Sequence, residues 1–354
     1  MERCIPPRAA AGYRNRAKLA VGEIDGHVRV GLFERGTNRI VDLAPCRVQR
    51  DVVQASIEPV RAWLSEHGLA RPRGPVIYVD VREALSGDTP ACHVTLVVDA
   101  RRLAGAKKSA LPIESLLARM PGVVGVAVNY GDASSSYAAG QATEPLVGDG
   151  TFMAAAYPRA DGLAAFAVPA AGFFQVSPSA LEDIHQRMLD HLGEDGPVLD
   201  LYCGVGVHGL MIAAAGRGGS AVTLTGIDDA EASIECARKN ADRFGIVSRM
   251  IAAPVQDYLP RHAVQLIGAD TRVILNPGRA GCRTPVLDAI AGRQPRRAAY
   301  LSCNPATLAR DLDHLVRAGM PVRCLVPIDL MPQTDLVETL ALLGTRDVEA
   351  GLPS

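Results

Sequence analysis

Two local patterns in this 354-residue chain carry residue types that could do group-transfer chemistry. In the first, the apolar run PVLDLY leads into CGVGVHG, placing Gly204, Gly206 and Gly209 at GxGxxG spacing between a strand and a helix. Glycines there let the backbone turn and approach a ligand, and the helix N-terminus behind them favours negative charge. Asp228 closes the next strand, 22 residues after Gly206, where a carboxylate would accept both ribose hydroxyls of an adenosine. Taken alone this fits a nicotinamide dinucleotide or S-adenosylmethionine. Asp200 inside the strand and the order D-L-Y-C-G-x-G favour the second.

The other pattern is a thiol. Cys303 follows the apolar strand AAYLS and precedes the helical window PATLARDLDHLVRAG, whose N-terminal dipole would stabilise a thiolate. The remaining cysteines, Cys4, Cys46, Cys92, Cys203, Cys236, Cys282 and Cys324, form no CxxC pair and no framework spacing, so neither a zinc knuckle nor a disulfide scaffold is indicated. Further on, Glu338 stands in the otherwise apolar run VETLALLG, an acid where packing would prefer none or a solvated edge residue.

The elements that must position these groups change character along the chain. Over the first 165 residues the strands KLAVGEI, HVRVGLF, RIVDLA, PVIYVDVRE, CHVTLVVDA and VVGVAVNY are interleaved with the helical windows VVQASIEPVRAWLSEHG and IESLLARM, which predicts a compact α+β domain. The stretch 131–150 reads as a loop, and AAYPRADGLAAFAVPAAG as a strand pair or linker. From about residue 171 strands alternate with helices. Leu181, Ile184, Met188, Leu189 and Leu192 recur at helical spacing, and PVLDLY, AVTLTGID, RVILNPG, AAYLSCN and VRCLVPID read as buried strands, with VETLALLG closing the sheet. Alternation of this kind predicts an α/β fold with a doubly wound, Rossmann-like parallel sheet, whose ligands sit at the carboxyl ends of the strands. The expected division is residues 1–168, a smaller α+β domain, and residues 169–354, the cofactor domain; the length supports two domains.

Composition sets outer bounds. With 48% hydrophobic and 21% charged residues the chain has the make-up of a globular protein. No run approaches the ~18 apolar residues that span a bilayer, and MERCIPPRAA lacks a signal-peptide core, so a cytoplasmic protein without membrane contact is expected. A formal charge of −1 argues against gripping nucleic acid by bulk electrostatics, yet the first 50 residues carry ten Lys and Arg against five acids. Only four of the 37 cations are lysines (Lys18, Lys107, Lys108, Lys239), which fits phosphate-clamping guanidiniums or a codon bias toward Arg.

PVLDLYCGVG, NPGRAG, YLSCNPATLARDL and MPQTDLVETLALL, quoted in chain order, resemble the RNA uracil-5-methyltransferase family, which uses S-adenosylmethionine to make 5-methyluridine in tRNA or ribosomal RNA. The resemblance starts at GFFQVSPSAL and runs through the C-terminal half; GYRNRAKLAV, VGLFERGTNRIVDLAPCRV and PGVVGVAVNY are similar to the family's central domain. It implies a class I methyltransferase domain with S-adenosylmethionine as cofactor. It also implies Cys303 as a nucleophile that adds to carbon 6 of uracil, making carbon 5 reactive, and Glu338 as the base that removes the carbon 5 proton. Gln175, from FFQV, inherits a cofactor contact, and Tyr202 and Asp228 match adenosine-contacting positions, beside Gly204 and Gly206.

Asn276, grouped with the cofactor residues, replaces the family's aspartate before proline. Its amide can donate to carbonyl 4 and accept from N3–H of uracil, although asparagine-proline also opens the loop of adenine amino-methyltransferases. Arg279 is expected to hold a phosphate or carboxylate, Phe173 to offer a stacking surface, and Arg14 and Arg16 to contact RNA, whose target base must leave its stack. The chain departs from the family at Val207, Ala253, Pro254 and Leu336. It is expected to lack the N-terminal RNA-binding barrel of many members; Cys46 alone matches a cluster cysteine, so no iron-sulfur cluster or metal is expected. A monomer is expected. Beside a uridine methyltransferase, three readings stay open: a catalytically degenerate relative that binds RNA or S-adenosylmethionine, a methyltransferase on another substrate, and a nicotinamide oxidoreductase.

Overall fold

The computed structural model describes residues 1–43, 45–103, 111–131, 140, 142–159, 162–216 and 223–344. Lys107, Lys108, residues 132–139 and 141 of the expected loop and the first residues of AVTLTGID lie outside the described residues, and the described part of 131–150, expected as loop, contains the strand Thr143–Val147.

The N-terminal half contains β1 (Arg16–Ile24), β2 (His27–Phe33), β3 (Ile40–Asp42), α1 (Asp51–Glu66), β4 (Val76–Ser86), β5 (Thr89–Asp99), α2 (Ala100–Leu103), α3 (Ile113–Arg119), β6 (Val123–Gly131) and β7 (Thr143–Val147). Its strands form one sheet in the order β3-β2-β1-β4-β5-β6-β7. Period-2 alternation gives this sheet two different faces. Leu19, Val21, Val79, Val81, Val94 and Leu96 turn to one side, where they pack with Val53, Ile57, Trp63 and Leu64 of α1. Asp80, Arg82, His93 and Thr95 turn to the other and are also buried.

A hairpin, β8 (Thr151–Arg159) with β9 (Gly162–Pro169), leads to the second half. There follow α4 (Leu181–Leu192), β10 (Val198–Leu201), α5 (Val207–Ala214), β11 (Leu224–Asp228), α6 (Glu231–Phe244), β12 (Ser248–Ala252), α7 (Val255–Leu266), β13 (Arg272–Leu275), α8 (Thr284–Arg293), β14 (Arg297–Ser302), α9 (Pro305–Arg317), β15 (Val322–Ile328) and β16 (Glu338–Gly344). The sheet order is β12-β11-β10-β13-β14-β16-β15, with helices on both faces: α4, α5 and α6 with the β8–β9 hairpin on one, α7, α8 and α9 on the other. Leu181, Ile184, Met188 and Leu192 are the buried stripe of α4, as their spacing predicts.

This is the doubly wound, Rossmann-like α/β sheet that the alternation predicts, with one correction. β16 does not close the edge of a parallel sheet. It inserts between β14 and β15, antiparallel to both. The chain leaves β15 and returns through a nine-residue connection (329–337), too short for the helical crossover that a parallel strand requires. The start of β16 is thereby brought to the carboxyl end of β14.

Candidate active site

The glycine loop is built as its spacing predicts. After β10 the chain reverses through Tyr202 (φ 60°), Gly204 (φ 54°) and Gly206 (φ 85°), and α5 begins at Val207. A side chain at Gly204 would meet nothing within 4 Å, so the loop's backbone faces open space that a ligand can fill. Gly209 serves a different end: a Cβ there would lie 2.8 Å from Asp200 Oδ2, so only glycine lets α5 pack this close to β10. Two carboxylates brace the loop. Asp228 accepts from Gly204 N at 2.9 Å and Ala230 N at 3.0 Å, while Asp200 Oδ2 accepts from Gly209 N at 2.8 Å. Burial raises both acids, Asp200 to about 7, and Asp200 Oδ1 is buried without a hydrogen-bond partner. Open glycine backbone, a half-buried Asp228 and an orphaned carboxylate oxygen beneath it are a donor and acceptor set that fits an adenosine-bearing cofactor.

Asn276 lies next to this loop, its N–H donating to Leu201 O at 3.2 Å. Tyr202 is placed differently: its ring packs into the core on the opposite face of the sheet and its hydroxyl is buried beside Cys282. Tyr202 therefore meets the loop through its strained backbone rather than its phenol.

The thiol and the carboxylate come together through strand register. β14 ends at Ser302, which pairs with Thr339 of β16, so the next positions along the ladder are Cys303 and Glu338. Asn304 then caps α9, its Oδ1 accepting from Ala306 N at 3.1 Å. Glu338 is 4% exposed, a buried acid and not a solvated edge residue, and burial pushes its carboxyl up to about 7. Burial also raises the half-buried Cys303 thiol, the negative charge of Glu338 adds to this, and the Arg279 guanidinium beside the thiol pulls the other way. Arg279, expected on a phosphate or carboxylate, lies beside this thiol.

The loop that carries Arg279 is held by α9. Arg279 O accepts from Asn304 Nδ2 at 3.0 Å and Thr307 Oγ1 at 3.1 Å. Arg310 Nη2 donates to Ala280 O and Cys282 O. Asp311, wholly buried, accepts from Cys282 N at 2.7 Å and Tyr300 Oη at 2.6 Å. Gly281 (φ 72°) completes the fit, since a Cβ would come within 2.5 Å of Asp311 Oδ2. Neither Asp311 nor Arg310 stands out in the sequence; both lie inside YLSCNPATLARDL, and only the fold reveals what they hold.

Phe173 is 58% exposed and Gln175 half-buried, on a segment without regular structure. Arg14 donates from Nε to Arg16 O at 3.1 Å. Arg16, expected on RNA, forms a two-pronged pair with Asp80 at 2.9 and 2.7 Å, which gives the buried carboxylate on the adjacent strand β4 a cation. Among the described residues no group of His, Cys, Asp and Glu is arranged to hold a metal, and no helix is long and apolar enough to cross a membrane.

Comparison with known proteins supplies the context. Residues 192–285 match the family model described as a methyltransferase domain. An uncharacterized RNA methyltransferase of Thermosynechococcus vestitus is 32% identical over 94% of this chain and 72% of its own length, and one from Gloeobacter violaceus is 32% identical over 94% and 70%. Among solved structures, the tRNA (uracil-54, C5)-methyltransferase of Pyrococcus abyssi in complex with S-adenosyl-L-homocysteine matches with a TM-score of 0.75, covering 96% of this chain and 78% of that one at 23% identity.

Proposed function

The chain belongs to the RNA methyltransferase family, and we propose that it methylates carbon 5 of a uridine in RNA through a covalent cysteine–uracil adduct. One observation carries this reading: a thiol, an acid raised to about 7 and a guanidinium converge at the end of β14. Amino-methyl transfer needs no such thiol, whereas carbon 5 of uracil is a poor nucleophile until a thiolate adds to carbon 6.

S-adenosylmethionine is the cofactor, and when bound it supplies the methyl group that carbon 5 takes. Gly204, Gly206 and Asp228, with Gln175 and Asn276 at its margins, would hold it. Arg279 offsets the negative charge of the Cys303 thiolate as it adds to carbon 6. Glu338, titrating near neutrality, then removes the proton from carbon 5, and the thiolate leaves as the ring's double bond re-forms. Phe173 offers an exposed ring for the displaced base, and Arg14 together with the rest of residues 1–168 meets the surrounding RNA.

Incubating the protein with unmodified RNA and S-adenosylmethionine, then digesting to nucleosides for mass spectrometry, should yield 5-methyluridine. Methylation of adenine or cytosine in its place would overturn the assignment.

A further inference from the structure

Residues 170–176 carry Phe173 and Gln175 but form no helix or strand, so their backbone groups need partners from elsewhere. Four of their carbonyls find them in the N-terminal half. Thr95 Oγ1 donates to Ala170 O at 3.3 Å, Arg82 Nη1 to Gly172 O at 2.5 Å, Asn15 Nδ2 to Gln175 O at 3.0 Å and Asn15 N to Val176 O at 2.9 Å. All three donor residues are buried. Phe173 is largely exposed, so its position is set by the backbone beneath it.

Arg82 is itself held on three sides. Its Nε and Nη2 lie 3.2 and 3.1 Å from Asp80 Oδ2, and its guanidinium lies 5.8 Å from the centre of the Phe152 ring, on which His93 stacks at 5.1 Å. Arg16 grips the same Asp80 with two more bonds. Burying Arg82 and Asp80, with Arg16 half-buried beside them, is costly, and apolar residues of similar volume would serve stability as well. Only a guanidinium fork can hold Asp80 with two donors and direct a third at a backbone carbonyl.

We propose that Arg82, locked by Asp80 and Arg16, is a positioning residue for the segment that carries Phe173 and Gln175, which makes the N-terminal sheet a structural part of the methyl-transfer site. Its functional arm rests on the cofactor role read above for Gln175; its structural arm does not.

A Phe173→Trp reporter tests the structural arm, with buried Trp63 as a constant background. Time-resolved anisotropy should show faster local motion of the reporter in Arg82→Met than in the unsubstituted reporter protein, with Arg82→Lys between them. Asn15→Ala, which removes a single neutral side-chain bond to Gln175 O, gives the same readout if Arg82→Met does not fold. In the chain without the reporter, the same substitutions should weaken S-adenosylmethionine binding by about 10-fold, the order expected for a displaced supporting group. Unchanged anisotropy in the folded variants overturns the positioning role. A loosened segment with unchanged affinity supports that role and removes Gln175 from the cofactor site, which is a failure of the earlier reading alone.

Discussion

Cys303 and Glu338 impose opposite demands on each other. An ionised Glu338 repels a thiolate, and burial disfavours both charges, so the resting pair favours a neutral thiol. Arg279 is the counterweight. Arg279→Met should slow thiol alkylation by iodoacetamide at Cys303 and move its pH profile toward alkaline values, whereas an unshifted profile would detach Arg279 from the thiol. In the proposed mechanism Glu338 is a base only when ionised, which predicts that turnover rises with pH through about 7. Glu338→Gln should lack that limb and let the RNA adduct accumulate.

Stability carries the opposite sign. The folded-state value of Glu338 is raised above 4.5, so the folded protein holds a proton there that the unfolded chain releases. Its stabilising contribution is full below about pH 4.5 and is lost as pH climbs to about 7. Thermal melts across that window should therefore fall less steeply for Glu338→Gln than for the parent chain.

At the scale of elements, β14, β16 and α9 build the site together. Asp311 ties α9 to the Arg279 loop and to the Tyr300 hydroxyl of β14. Asp311→Ala would strand the buried hydroxyl of Tyr300 and the N–H of Cys282, costing about 3 kcal/mol in urea unfolding and lowering activity through the displaced Arg279. A loss under ~0.5 kcal/mol would contradict the stapling role. How far such features could be read in advance depended on their range. The glycine loop, the helix behind Cys303 and the alternation of strands and helices are local patterns, and all are present in the structure. The antiparallel insertion of β16, the pairing of Arg16 with Asp80 across 64 positions and the approach of Arg279 to Cys303 are products of tertiary packing. No spacing encodes them. The buried phenol of Tyr202 is the same lesson, because its direction follows from a positive φ that the sequence does not display.

For the whole molecule, a net charge of −1 divides into +3 over residues 1–170 and −4 over 171–354. Several arginines of the first half are engaged inside it: Arg16 and Arg82 hold Asp80, and Arg50 pairs with Glu83. The grip on RNA phosphates is accordingly modest, and the logarithm of the association constant should fall with log salt no more steeply than about −2, the value for roughly three phosphates of a single strand. A much steeper slope would indicate a larger basic surface. In the proposed mechanism specificity then falls to the base that reaches Cys303.

That step can be observed directly. RNA containing 5-fluorouridine cannot lose a proton from carbon 5, so with S-adenosylmethionine present the wild-type protein should form a denaturation-resistant RNA–protein adduct, and Cys303→Ala should form none. A wild-type protein that methylates ordinary RNA yet gives no adduct, or an equal adduct with Cys303→Ala, would contradict covalent catalysis by Cys303.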